Sequence, residues 1–362
     1  MLIRALRRGF ASKVYTIGWN HNNMGGYEEP KDFNVESRPV RLALQEDKQV
    51  QKIVIGYSES VILNQDGSYY NFGTEHLFLK NSDKPVLGSD ISDSLRDIDV
   101  DYSHAIFLTK DGRILEQDKK GVKDVRLEGD IHSVACGNGF SLAVIGNEHG
   151  TQKVVAWATG AGCHPSVFCS GEVPSSPVEI QSLSQLIHTD NTRIKKLKVV
   201  DNSIAVLLEN GVLAVWGNNR AGNLGIPRPI TLMHEVYVED VKVPFIANRI
   251  NDFVTDFDMS SNNIVILSEK GDLYYAGRDK DLKLEKLPFF SDKRVASVGS
   301  YHNNYVIVTD KGELFTTEAP QGEVRNKYWG DYQLYQYDQE YFENAKVVSV
   351  SGKYDNAFAL TA

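Results

Sequence analysis

A chain of 362 residues, 41% hydrophobic and 24% charged, is long enough for several ordinary domains or one large repeat domain, and its composition is that of a folded globular protein. The net charge of −9 argues against nucleic acid or an anionic membrane as the main partner, so no direct DNA binding is expected. No apolar run approaches the ~20 residues of a membrane helix, and three cysteines, Cys136, Cys163 and Cys169, fit a reducing compartment better than a disulfide scaffold.

Residues 1–12 (MLIRALRRGFAS) differ from everything after them, with three arginines and no acid. At ~100° per residue, Leu2, Ile3, Leu6 and Phe10 fall on one arc and Arg4, Arg7 and Arg8 on another. A short, basic, acid-free amphipathic helix is the build of a mitochondrial targeting segment. The expected division is therefore a targeting segment at 1–12 and one folded domain at 13–362.

From Lys13 onward one unit recurs: an apolar strand, a tight turn with glycine, and a second apolar strand running into a glycine-rich corner. Residues 13–20 (KVYTIGWN) form an isolated second strand with its corner. Complete hairpins follow at 60–73, turning on Asp66-Gly67, and at 104–118, turning on Asp111-Gly112. The next, at 140–160, has a longer turn around 147–150. The best copy, at 202–225, turns on Asn210-Gly211 and ends at Trp216 in the corner GNNRAGNLG. Two more lie at 262–277, turning on Lys270-Gly271, and at 303–317, turning on Lys311-Gly312. The chain ends on an isolated first strand, 356–362 (NAFALTA). Asn-Gly and Asp-Gly between apolar runs signal tight hairpins, because both residues tolerate the positive φ such turns need. Few charges interrupt these strands, so both faces of each are expected to be buried.

The two ends decide the architecture. Six complete hairpins lie between a lone second strand and a lone first strand. Pairing residues 358–361 with 14–17 makes the seventh and closes a ring without free edges. The expected fold is all-β: a seven-bladed β-propeller closed by its N- and C-terminal strands, with about fifty residues per blade. β-rich stretches before the hairpins, at 50–55, 131–136, 194–200, 295–299 and 347–350, read as further blade strands. Extra length collects at 161–193, 226–249 and 319–346.

The repeat resembles that of the regulator of chromosome condensation family, the RCC1-like propellers. The resemblance rests on Trp216 and the corner Gly217 to Gly225, with Asn223 where the family has glutamine. It also rests on the run SVACGNGFSLAV at 133–144, with Phe140 where histidine is usual, and on His104, which matches that histidine. Gly18-Trp19-Asn20 is a partial corner. The founding member is an exchange factor for a small GTPase and binds nucleosomes. The resemblance therefore implies a propeller scaffold and offers exchange activity as an alternative function.

No catalytic constellation is present in the sequence, neither Gly-x-Ser-x-Gly nor His-Glu-x-x-His. The Gly217 to Gly225 corner lacks the Lys-Ser/Thr of a phosphate loop. Cys163-His164 with Cys169 matches no zinc spacing, so neither a metal nor a cofactor is expected. His104 and His302 read as structural. Asp99 with Asp101 and Asp256 with Asp258 fall near strand ends and read as solvated acids. The proline- and serine-rich stretch 161–193 reads as an irregular excursion, a second candidate site.

The leading candidate site is the aromatic stretch 327–342, with Tyr328, Trp329, Tyr332, Tyr335, Tyr337, Tyr341 and Phe342. Tyr and Trp supply large contact area with few rotors and are enriched at interfaces. The sequence thus reads as a non-enzymatic protein–protein interaction scaffold, a subunit or assembly factor of a mitochondrial complex, respiratory-chain or ribosomal. It would sit in the matrix or at the inner membrane. The alternatives are a guanine-nucleotide exchange factor for a small or organellar GTPase, and a cytoplasmic location.

Overall fold

The computed structural model describes residues 13–18, 25–26, 39–45, 48–73, 82–88, 91, 93–146, 151–160, 162–169, 172–174, 176–219, 222–225, 241–246, 252–277, 280–287, 293–317, 326–329, 332–354 and 356–362. The targeting segment expected at 1–12, the long turn at 147–150 and most of the stretch 226–249 lie outside them.

Seven sheets form the molecule, each with its strands running in order from the inner edge to the outer. Blade I is Val50–Ile55, Glu59–Asn64, Tyr69–Gly73 and Ser82–Leu87. Blade II is Leu95–Val100, Ala105–Thr109, Ile114–Asp118 and Gly121–Val125. Blade III is Asp130–Gly137, Phe140–Gly146, Gln152–Ala158 and Val178–Glu179. Blade IV is Ile194–Val200, Ser203–Leu208, Leu213–Gly217 and Val241–Ile246. Blade V is Val254–Met259, Asn263–Ser268, Leu273–Gly277 and Lys280–Leu287. Blade VI has a fifth strand: Val295–Tyr301, Asn304–Thr309, Leu314–Thr316, Tyr332–Gln336 and Asn326–Trp329. Blade VII takes Val347–Lys353 and Asn356–Thr361 from the end of the chain and Val14–Gly18 and Val40–Arg41 from its start.

The closure follows the expected register, with Val14 opposite Leu360 and Ile17 opposite Ala357. Inner strands touch in cyclic order, blade VII against blade I included. Among the described residues the hydrophobic core divides into seven clusters, one for each blade interface. This explains why the second strands are apolar on both faces: each is covered by a blade on either side. Six are buried along their whole length, and Asn304–Thr309 is buried except at its first residue.

The stretch 161–193 differs from expectation. It holds a 3-10 turn, Pro165–Phe168, and a helix, α1, Gln181–Thr189. Leu183 and Ile187, four apart and so on one helix face, are buried in the cluster between blades III and IV. The ring of His164 caps the 3-10 turn, accepting from Ser166 N–H at 3.3 Å, while Cys163 and Cys169 pack on the same cluster.

Every inner strand carries a register shift near its start, after the first pair in six blades, from Val50/Lys52 in blade I to Val347/Ser349 in blade VII, and after the second pair in blade III, at Ile131/Ser133. A bulge re-aims the residues that follow it. In this ring it sets which side chains line the axis.

Candidate functional site: a plugged channel and its tyrosine rim

Beyond the bulge, alternate residues of each inner strand share one face. In blade I this series begins with Lys52. In blade II it is Asp97, Asp99 and Asp101, and in blades IV and V it is Lys196 with Lys198 and Asp256 with Asp258. Blade VII contributes Ser349, Ser351 and Lys353. Asp99, Asp101 and Asp258 are buried, which corrects their reading as solvated acids. Asp101 and Asp258 pair with lysines of other blades, as do Asp97 and Asp256, while Asp99 is held by backbone N–H groups. Lys52 meets Asp97 at 2.8 Å, Lys196 meets Asp256 at 2.8 Å, and Lys198 meets Asp258 at 2.6 Å. Lys353 reaches past blade I to Asp101 in blade II at 2.9 Å, with both side chains nearly inaccessible. Burial opposes charge on Lys353, but Asp101 and Asp99 outweigh it and hold its pKa above the ordinary lysine value.

Each inner strand turns back through two residues. The seven turns open on Tyr57, Tyr102, Asn138, Asp201, Ser261, His302 and Tyr354, which ring one mouth of the channel. Asp201, His302 and Tyr354 have φ of 51°, 43° and 44°. Aspartate tolerates this region; a tyrosine has no local bond to offset its cost of roughly 1–2 kcal/mol. The environment of the ring holds Tyr354 there. It crosses the axis, packs in the cluster between blades IV and V, and bonds through its hydroxyl to Asp101 and, at 3.1 Å, to Asp201. Tyr354 thereby plugs the channel.

A phenol has one proton and cannot donate to two carboxylates at once. The carboxyl of Asp201 is pushed up to about 6, first by burial and then by the charge of Asp101, so it takes a proton well above the usual carboxylate range. Above the plug, the ring of Tyr57 stands edge-on to Tyr354 at 5.5 Å, and Tyr102 lies 4.5 Å from Tyr57. Tyr57 and Tyr102 are 41% and 49% exposed, which makes the rim an aromatic patch open to solvent.

One cluster has the residue types of a hydrolase. His104 Nε2 lies 2.9 Å from Ser141 Oγ, and Ser141 donates to Glu116 at 2.7 Å. Burial pushes the pKa of His104 down, so the ring is neutral. Because the serine proton goes to Glu116, the serine oxygen accepts from His104, which places the imidazole proton on Nε2. A catalytic serine needs the histidine to accept its proton. In this cluster the polarity is reversed, Ser141 is fully buried, and Trp157 donates to the same Glu116 oxygen at 2.7 Å. The cluster ties blades II and III together.

No family model matches the chain. Over 97% of its length the chain is similar to human WBSCR16, at 15% identity and a TM-score of 0.70, covering 99% of that chain. It matches Prp20p from Saccharomyces cerevisiae over 100% of its own length and 94% of that chain, at 13% identity and a TM-score of 0.74. Yeast RCC1 (Prp20) bound to Kap60 gives a TM-score of 0.72 at 13% identity, covering 97% and 89% of the two chains. The fold is that of the RCC1-like propellers.

Within this RCC1-like propeller the aromatic stretch divides. Tyr335, Tyr337 and Phe342 are 5%, 1% and 0% exposed, the last two packed in the core between blades VI and VII, and so do not supply contact surface. Tyr341 is partly buried beside Tyr337, their ring centroids 6.3 Å apart. Tyr328, Trp329 and Tyr332 lie on the paired outer strands of blade VI, Trp329 opposite Tyr332. Their side chains fall outside the described residues. Sequence reasoning alone misses the rim tyrosines. Their signal is positional: Tyr57, Tyr102 and Tyr354 all stand at the first turn residue of an inner strand, visible only once the inner strands are aligned on their bulges.

Proposed function

We propose that this RCC1-like propeller is a non-enzymatic protein–protein interaction scaffold that docks through its tyrosine rim. We further propose that it serves as a subunit or assembly factor of a mitochondrial complex, respiratory-chain or ribosomal. The observation that carries the docking reading is the exposed Tyr57–Tyr102 pair seated on an immobilised Tyr354. Rigid, solvent-open aromatic rings have the character of interface hot spots, because they bury large area at little entropic cost. The basic, acid-free residues 1–12 support the mitochondrial location. Tyr328, Trp329, Tyr332 and Tyr341 are proposed as a second contact at the edge of blade VI.

The second reading is a guanine-nucleotide exchange factor. It is favoured by the similarity to Prp20p, a protein that binds Gsp1p and histones.

Size and composition of the native assembly test the proposal, using the tagged full chain and a Tyr57→Ser/Tyr102→Ser double variant. The wild type is expected in mitochondria within an assembly much larger than 40.5 kDa. The double variant is expected to keep its unfolding midpoint and run free. Wild-type protein running alone in the cytosol would refute the scaffold reading. Robust stimulation of nucleotide release from an organellar GTPase would replace it with exchange activity.

A further inference from the structure

The axial channel holds charge that docking leaves unused. Its cavity has a volume of about 190 Å³, room for roughly six waters at ~30 Å³ each. Four lysines line it among the described residues, Lys52, Lys196, Lys198 and Lys353, against one acidic residue, Asp99. The aspartates that pair with these lysines are not on the wall. Asp97 turns its second oxygen to Val134 N–H in blade III at 3.0 Å. Asp258 turns one of its own to Ser300 and Gly352 N–H in blades VI and VII, both at 2.9 Å. Even Asp99 has both oxygens engaged, by Val100 N–H at 3.0 Å and Cys136 N–H at 2.9 Å. Negative charge is drawn into the blade interfaces, and positive charge is left facing the cavity.

The donor count points the same way. An ammonium has three N–H donors. Lys52 uses two, on Asp97 and on Ile98 C=O at 2.9 Å. Lys196 repeats the construction on Asp256 and Phe257 C=O, and Lys353 on Asp101 and Val100 C=O. In each case a carboxylate and a carbonyl of another blade take two donors; Lys196 and Lys353 also stand over the rings of Phe257 and Tyr354, 5.2 and 5.3 Å from the centroids, and Lys52 has the third donor to offer a ligand. Ser349 and Ser351 add hydroxyls to the same wall. Side-chain exposure falls from 36% at Lys52 through 27% at Lys196 and 13% at Lys198 to 4% at Lys353. The cavity is thus a blind funnel, entered beside Lys52 and closed beyond Lys353 by Tyr354. Burial pushes the pKa of Lys198 down, and the cations Lys196 and Lys353 add to this against Asp258. An anion in the funnel relieves that strain.

We infer that the funnel binds a small oxyanion of the phosphate class, either free phosphate or the terminal phosphate of a small metabolite. Several acceptor lone pairs on one compact, multiply charged group suit donors converging from blades I, IV and VII.

Calorimetric titration of the purified full chain with inorganic phosphate at constant ionic strength tests this inference. Saturable one-to-one binding is expected. Lys196→Gln and Lys52→Gln, on opposite walls, are each expected to weaken it about tenfold or more, the effect of losing one charged hydrogen bond. Lys195→Gln, on the exposed bulge residue next door, is expected to leave it unchanged. Competition by glycerol 3-phosphate assigns the site to a terminal phosphate group, and its failure to compete assigns it to the free ion. Binding that does not saturate, or that survives in whichever of the two wall variants keeps the wild-type circular dichroism spectrum, overturns the proposal.

Discussion

Asp201 is where the chemistry of single residues can be read most directly. Its carboxyl shares the hydroxyl of Tyr354 with Asp101, and it sits at about 6 where an ordinary aspartate sits near 3.8. A carboxyl raised on folding binds its proton more tightly in the folded state. Its contribution to stability is therefore complete below the unfolded value and is lost as pH rises through the folded one. The window runs from about pH 4 to about pH 6, and the shift is on the order of 2–3 kcal/mol. Asparagine mimics the protonated acid at every pH. Asp201→Asn is therefore expected to gain about that much relative to wild type between pH 4.5 and pH 7, measured as the difference in urea midpoints. An identical difference at both pH values would show that Asp201 keeps an ordinary pKa.

Among the elements, the second and third strands were legible in the sequence and the outer strands were not. The difference is physical. The middle strands are covered by blades on both faces and punctuated by turn glycines. Outer strands are half-solvated and short, such as Gly121–Val125, exposed at four of its five residues, and the two-residue Val178–Glu179. Helix α1 was hidden because only Leu183 and Ile187 are fully buried along it and no side chain caps its start. The axial acids were misread for a subtler reason. A strand alternating Asp with apolar residues looks the same whether its polar face meets solvent or a channel, and only ring closure turns that face inward.

Two glycines from different hairpins, Gly217 in 202–225 and Gly271 in 262–277, allow a controlled test of what the repeat's glycines do. Gly217 has φ +99°, and a Cβ there would lie 2.1 Å from Asn202 C=O; Gly271 has φ +86° with open space around it. Gly271→Ala is expected to cost only the left-handed conformation, roughly 1–2 kcal/mol. Gly217→Ala must also move backbone in the corner and is expected to cost more than ~3 kcal/mol. Chemical denaturation of the two variants side by side measures the gap. Equal losses would mean that the corner yields freely.

At the scale of the whole molecule, stability depends on joining the two ends of the chain. Val14–Gly18 is the third strand of blade VII, and Tyr15 and Ile17 belong to the core between blades VI and VII, while Val14 belongs to that between VII and I. The clasp begins at Lys13, whose carbonyl accepts from Thr361 N–H at 3.0 Å and whose ammonium meets Glu343 at 2.5 Å. Glu343 also takes Arg41 at 2.7 Å, so one exposed acid spans both sides of the closure. Exposed pairs of this kind contribute little; the buried strand does the holding. Two truncations separate the roles of the N-terminus. Removing residues 1–12 is expected to leave the unfolding midpoint within about 1 °C, a shift well below what 1 kcal/mol produces, and, under the proposed targeting role, to abolish mitochondrial import. Removing residues 1–18 strips Val14, Tyr15 and Ile17 from two cores, each large apolar side chain worth roughly 2–5 kcal/mol, and reopens two strand edges. That loss matches or exceeds the 5–15 kcal/mol by which ordinary domains are stable, so the ring is expected to open and lose its near-ultraviolet circular dichroism. A cooperative transition surviving the longer truncation would mean that six blades close without the N-terminal strand, and the split seventh blade would no longer account for the fold.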